Sequence, residues 1–113
     1  MAQSLKAIVV EVTGGNVRNS HIYLKEALGF FPADSVGGSN AAESGKPIVF
    51  RMGGEEVETD LDGAKAIIRD RGAMKRFFER EHVAAGDLIL IERLGKRLYE
   101  ISKASKRAFK YHL

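Results

Sequence analysis

Glu56, Glu58, Asp60 and Asp62 alternate along one short segment, and a row of carboxylates is the first place to look for a cation or a hydrolytic centre. On a strand such residues stand about 7 Å apart, too far for one ion to bridge without ligands from elsewhere. A solvated strand face accounts for them more simply. Asp60, Asp62 and Lys65 invite comparison with a nuclease. The usual nuclease arrangement sets one acid on one strand and an acid-x-Lys on the next, which this spacing does not give. His21, His82 and His112 fall in three separate segments without metal-ligand spacing. Catalysis by a histidine pair would need two of them at one scissile bond, which only folding decides. The glycine pairs at 14–15, 37–38 and 53–54 lack the spacing and the strand-to-helix context of a phosphate-binding loop and read as turns. Arg69, Asp70 and Arg71, and the Lys75–Arg76 pair, carry charges that suit phosphate, although isolated charges are more often plain surface residues. The chain has no cysteine, which excludes disulfides, thiol catalysis and cysteine-based zinc sites. No catalytic residue, metal site or cofactor is assigned.

Charge is distributed unevenly. The formal net charge is only +3, yet Lys103, Lys106, Arg107 and Lys110 make the segment 103–113 purely basic, while Glu55 joins the carboxylates above in an acidic patch. A basic tail suits a phosphate backbone, because Lys and Arg release condensed counterions on contact. A solvated terminal helix explains it equally well. With 44% hydrophobic and 29% charged residues, the 113-residue chain reads as one globular domain, residues 1–113, able to bury a core without staples. No stretch approaches the ~20 apolar residues of a membrane span, so no membrane partner is expected. The amino-terminal apolar run, residues 7–12, is broken by Glu11 and does not resemble a signal peptide, which makes the cytoplasm the expected location.

The elements that must position these side chains follow from periodicity. Residues 6–13, rich in Val and Ile, read as a strand stopped by Gly14 and Gly15. A polar connection follows at 16–20, then an extended or helix-entering stretch at 21–24. Leu24, Ala27, Leu28 and Phe31 share helical spacing, so a turn or two of helix is expected before Pro32. Residues 37–47 read as a loop, long enough to be functional or mobile. Residues 48–52 read as a strand, and residues 55–62 as an alternating one with Val57, Thr59 and Leu61 opposite the acidic face. Asp62–Gly63 signals a two-residue hairpin with positive φ, returning through a partner strand at 64–69.

The segment 72–92 is the most informative. Met74, Phe77 and Phe78 fall at i, i+3 and i+4 on one helical face, with Lys75, Arg76, Glu79 and Arg80 on the other. His82 ends that helix, where a partly positive ring suits the dipole. Gly86–Asp87 then turns the chain into the apolar strand 88–92, followed by another at 97–102. The sum is a mainly β, α+β chain of about seven short strands and two short helices, a seven-stranded, partly open barrel.

The order of elements from Ile68 to Glu92 resembles the carboxyl half of the plant B-three DNA-binding domain. The matching positions are Gly72 at the helix start, Phe77 or Phe78 within it, Val83 in the link, Gly86–Asp87, and the strand 88–91. Ala73 stands where the plant pattern has Trp. The same DNA-binding pseudobarrel occurs in effector domains of bacterial restriction endonucleases, which this chain resembles in its compactness and basic tail.

The resemblance implies a non-enzymatic reader of double-stranded DNA that grips the major groove with two arms. The first arm would offer Asn16, Arg18, Asn19, Ser20, His21 and Tyr23. Arg suits guanine, Asn adenine, and Ser or Tyr phosphate. For His21, groove contact and packing at the base of the arm remain equal readings. The second arm, from Arg51 through the Asp62–Gly63 turn to Arg71, would offer Arg51, Thr59, Lys65, Arg69 and Arg71, with the carboxylates facing away and the Thr59 side inward. A restriction, defence or regulatory role follows, with a separate catalytic subunit as the expected partner. Two rivals remain: a small nuclease or ribonuclease-like toxin, which needs a convergent His, Arg or acid cluster in one cleft, and an interaction barrel whose acidic hairpin docks a basic protein.

Overall fold

The structure, a computed structural model, describes residues 6–104. Most of the basic tail expected at 103–113, including Lys106, Arg107, Lys110 and His112, lies outside the described residues. The chain is α+β, with eight short strands in two mixed sheets rather than the seven expected. The larger sheet has the order β1 (Ala7–Glu11), β7 (Leu88–Gly95), β8 (Leu98–Ala104), β3 (Ile48–Met52), β4 (Glu55–Thr59), with only the β8–β3 pair parallel. The smaller has the order β2 (Val36–Gly37), β5 (Leu61–Asp62), β6 (Ile67–Ile68), with β2–β5 parallel. The two sheets do not close into one barrel, and the architecture is that of an open pseudobarrel.

Alternation sets the core. Ile48, Phe50 and Met52 of β3, Ile89 and Ile91 of β7, and Tyr99 and Ile101 of β8 are all buried, on the same alternate positions that a pleated strand sends to one face. Phe30, Phe31, Phe50 and Tyr99 pack with ring centroids 4.9–6.0 Å apart, and the Tyr99 hydroxyl donates to the Phe30 carbonyl at 3.0 Å. Helix α2 (Arg71–Arg80) adds Ala73, Met74, Phe77 and Phe78, the face read from its spacing. The Asp70 carboxylate caps it by accepting from the Ala73 amide at 3.0 Å. His82, at φ 52°, turns the chain at the far end, where the Val83 amide donates to the Phe78 carbonyl and Val83 is buried.

The turn or two of helix expected at 25–31 is present as a 3-10 segment, Lys25–Phe30, stopped before Pro32, while three other expectations are corrected. The connection at 16–20 belongs to a helix, α1 (Gly14–Asn19), nucleated by a reciprocal box. The Asn16 amide donates to the Thr13 hydroxyl at 3.1 Å, and the Thr13 amide to the Asn16 side chain at 2.9 Å. The loop at 37–47 opens with β2 and holds a short 3-10 turn, Ala41–Glu43.

The third correction is the largest. The alternating segment 55–62 is not one strand with a solvated acidic face. The chain leaves the larger sheet at Thr59 and enters the smaller at Leu61, so Asp60 and Asp62 are only 3% and 4% exposed while Glu56 and Glu58 face solvent. Each buried carboxylate has its own donors. Asp60 accepts from Arg69 Nε at 2.6 Å, from Arg69 Nη2 at 3.1 Å and from the Gly45 amide at 2.7 Å. Asp62 Oδ1 accepts from the Ala64 and Lys65 amides, both at 2.9 Å. The hairpin turn is accordingly four residues, 63–66, and its partner strand is only Ile67–Ile68. The left-handed position is Ala66 at φ 57° rather than Gly63. Gly63 answers a different need, since a Cβ there would lie 2.7 Å from the Gly37 carbonyl oxygen.

Candidate nucleic-acid interface

Three elements meet at one edge of the smaller sheet. Helix α1 ends at Asn19, and Ser20, at φ 53°, redirects the chain so that the Ser20 and His21 amides return to the Val17 and Asn16 carbonyls. The following segment lies against the β5–β6 turn, where the Leu24 amide donates to the Ala66 carbonyl at 2.7 Å. From the start of α2, Arg71 Nη2 donates to the Asn19 carbonyl at 3.2 Å. The segments 16–23 and 65–71 therefore share one side of the molecule.

Two clefts mark the junction, and Asn19 and Arg71 line both. One, of about 350 Å³, is walled also by Arg18, Ser20, Gly72 and Lys75. The other, of about 560 Å³, is walled also by His21, Tyr23, Ala64, Lys65 and Ile67. Arg18, Lys65, Arg71 and Lys75 are exposed, and among the described residues none has a carboxylate within ion-pair distance. Elsewhere arginines are paired: Arg51 with Glu56 at 3.1 Å, Arg76 with Glu55 at 2.7 Å, Arg97 with Asp34 at 2.9 Å. Four uncompensated cations around two concavities make a local positive field suited to phosphate.

His21 sits beneath this surface. It is 8% exposed, its ring meets the Tyr23 ring edge-on at 4.7 Å, and neither ring nitrogen has a hydrogen-bond partner among the described residues. Leaving such a buried atom unpaired costs about 1–3 kcal/mol. Burial first, then the charges of Arg71 and Lys65, lower its pKa and hold the imidazole neutral.

The expected contact residues thus fall into two groups. Arg18, Asn19, Ser20, Tyr23, Lys65 and Arg71 surround the clefts. Asn16 is buried at 3% exposure and occupied in the α1 box. Thr59 is buried, correcting the picture of its side as a groove-facing surface, because that face of β4 packs into the core side of the sheet. Arg69 is spent on Asp60 and on the Gly38 carbonyl at 2.7 Å. Arg51 lies on β3, paired with Glu56 and outside both clefts. Lys75 joins the surface although its pattern singled it out only as a surface charge, and the available signal was its position one helical turn after Arg71.

Among the described residues no three His, Asp or Glu side chains are grouped to hold a metal ion, and no helix is long and apolar enough to cross a membrane. Comparison of the chain with protein-family models, with curated proteins and with solved structures gave no match.

Proposed function

We propose that this protein binds double-stranded DNA through the face formed by the end of α1, Tyr23, the β5–β6 turn and the start of α2. It serves as a recognition module of a restriction, defence or regulatory system whose catalytic partner is a separate subunit. The observation that carries the reading is the junction itself: two segments more than forty residues apart present Arg18, Lys65, Arg71 and Lys75 around adjoining clefts with no carboxylate within ion-pair distance among the described residues. Such cations fix a protein on the phosphates, while Arg18, Asn19 and Tyr23 have the reach and chemistry for base edges and sugars. The resemblance to B-three domains supports the same face, since its two arms correspond to these two segments. Burial of Asp60 and Asp62 weakens the like-charge objection that an acidic hairpin would raise, leaving Glu56 and Glu58 as the solvent-facing carboxylates of that segment.

Duplex binding followed by fluorescence anisotropy across a salt series tests this. Four phosphates neutralised by four cations give a log–log slope of about −4. No duplex binding at low salt, or a slope near zero, would remove the proposal. The nuclease rival draws on His21, Lys65 and Arg71 in one cleft. Among the described residues the sealed imidazole has no second histidine beside it in the cleft, which favours binding over catalysis. Incubation with labelled RNA and DNA, with and without magnesium, separates the two.

A further inference from the structure

We propose that the larger cleft is a seat for one phosphate group, gripped at its rim by Lys65 and Arg71 and completed from its floor by His21. This rests on the same face as the DNA reading but assigns a particular group to a particular cavity. Three observations converge on it. The cleft, about 560 Å³, has ample room for a phosphate with part of its ester. Its rim carries two cations from different elements, the β5–β6 turn and α2, with no carboxylate in ion-pair reach among the described residues. Its floor holds a histidine more than nine-tenths buried whose two ring nitrogens lack any partner among the described residues.

An acceptor-only oxyanion answers all three. Guanidinium and ammonium donate to its oxygens, and the imidazole supplies a further N–H that water does not reach. The ring nitrogens are closed off from solvent beneath the cleft, so the ligand enters by displacing a wall. Tyr23, 58% exposed and touching His21 only edge-on, is the side chain free to swing. Once a phosphate is seated, its charge opposes the effect of Lys65 and Arg71 and favours the imidazolium. The Arg71 guanidinium bonds the Asn19 carbonyl through one Nη, which leaves its remaining donors for the ligand. The phosphate can come from a nucleic-acid strand or from a free phosphate ester, and the two sources are separable.

The test follows the imidazole 1H–15N signals of the full chain, assigned with His21→Phe, during titration with inorganic phosphate and with a short DNA duplex. Chloride at matched ionic strength serves as the control. The expected result is that phosphate moves the His21 signals and raises their titration midpoint while those of His82 stay fixed. The Lys65→Ala/Arg71→Ala variant should weaken phosphate binding about tenfold or more, and Lys96→Ala should not change it. Should His21→Phe fail to fold, the Lys65 and Arg71 variant carries the comparison. A response to phosphate without any duplex binding supports the seat as one for a free ester and removes the DNA reading. Duplex binding with His21 unmoved by either probe overturns the seat and leaves the DNA reading standing, and silence toward both probes overturns both.

Discussion

Asp60→Asn is the most telling single change, because it separates a solvated acidic stripe from the buried ion pair found here. The Asp60 carboxylate takes three hydrogen bonds, two from Arg69 at 2.6 and 3.1 Å and one from the Gly45 amide at 2.7 Å. The Asp60 side chain is 4% exposed and that of Arg69 18%. An asparagine retains one acceptor oxygen and turns an N–H2 toward a donor, so at least one of the three bonds becomes a clash of donors. Removing one partner of a buried pair costs about 3–5 kcal/mol, mostly from the charge left behind. Arg69 keeps the Gly38 carbonyl and some solvent, which places the expectation near the lower end, about 3 kcal/mol. Urea denaturation reads this directly. With a slope of about 1–3 kcal/mol/M the midpoint should fall by roughly 1–3 M, without change in slope. Glu56→Gln, on the same alternating segment but with a side chain 64% exposed, should leave the midpoint where it is. If the two variants behave alike, within about 0.5 kcal/mol of the parent, the division of this segment between two sheets is wrong. Because Asp60 also ties the 38–46 loop to the base of the β5–β6 hairpin, Asp60→Asn should loosen that hairpin as well.

Phe77, fully buried on α2, should cost about 3–5 kcal/mol of stability on truncation to Ala by the same assay, and a near-neutral result would mean that the helix faces elsewhere. Arg18→Ala should weaken duplex binding by about 1–3 kcal/mol in a sequence-dependent manner, whereas equal loss on every sequence would restrict Arg18 to phosphate contact. Stability should fall on acidification through His21. Its folded-state pKa lies below the ordinary 6.5, so the unfolded chain binds the proton first, and the contribution is complete above pH 6.5 and lost progressively below it. His21→Phe should flatten that slope, as measured by thermal unfolding across pH, and should be neutral or stabilising near pH 7 because no hydrogen bond to a described residue is removed.

Local patterns were legible wherever one physical preference dominated. The helix at Arg71–Arg80 combines an apolar i, i+3, i+4 set with a following turn at Gly86–Asp87, both pointing the same way. Strand β3 announced itself as a short, mostly apolar run between Pro47 and the Gly53–Gly54 turn. Helix α1 was missed because its box uses Asn16 in the place usually held by Glu or Gln, and six residues beginning with two glycines carry little helix propensity. Glu55 to Asp62 misled for the opposite reason. From Glu56 onward its alternation is perfect, yet a period of two says which residues share a face of one strand and nothing about the chain changing sheets midway.

For the candidate site, the sequence by itself determined which side chains were suited to nucleic acid and that they cluster in two segments, since residue type fixes hydrogen-bonding capacity. Only the tertiary structure decided which of them are available. Arg69 and Arg71 are two residues apart and chemically identical, but one is folded onto a buried carboxylate and the other onto a carbonyl at the rim of two clefts. That choice depends on Asp60, Gly38 and Asn19, partners nine, thirty-one and fifty-two residues away, which come within hydrogen-bonding distance only when the sheets are assembled.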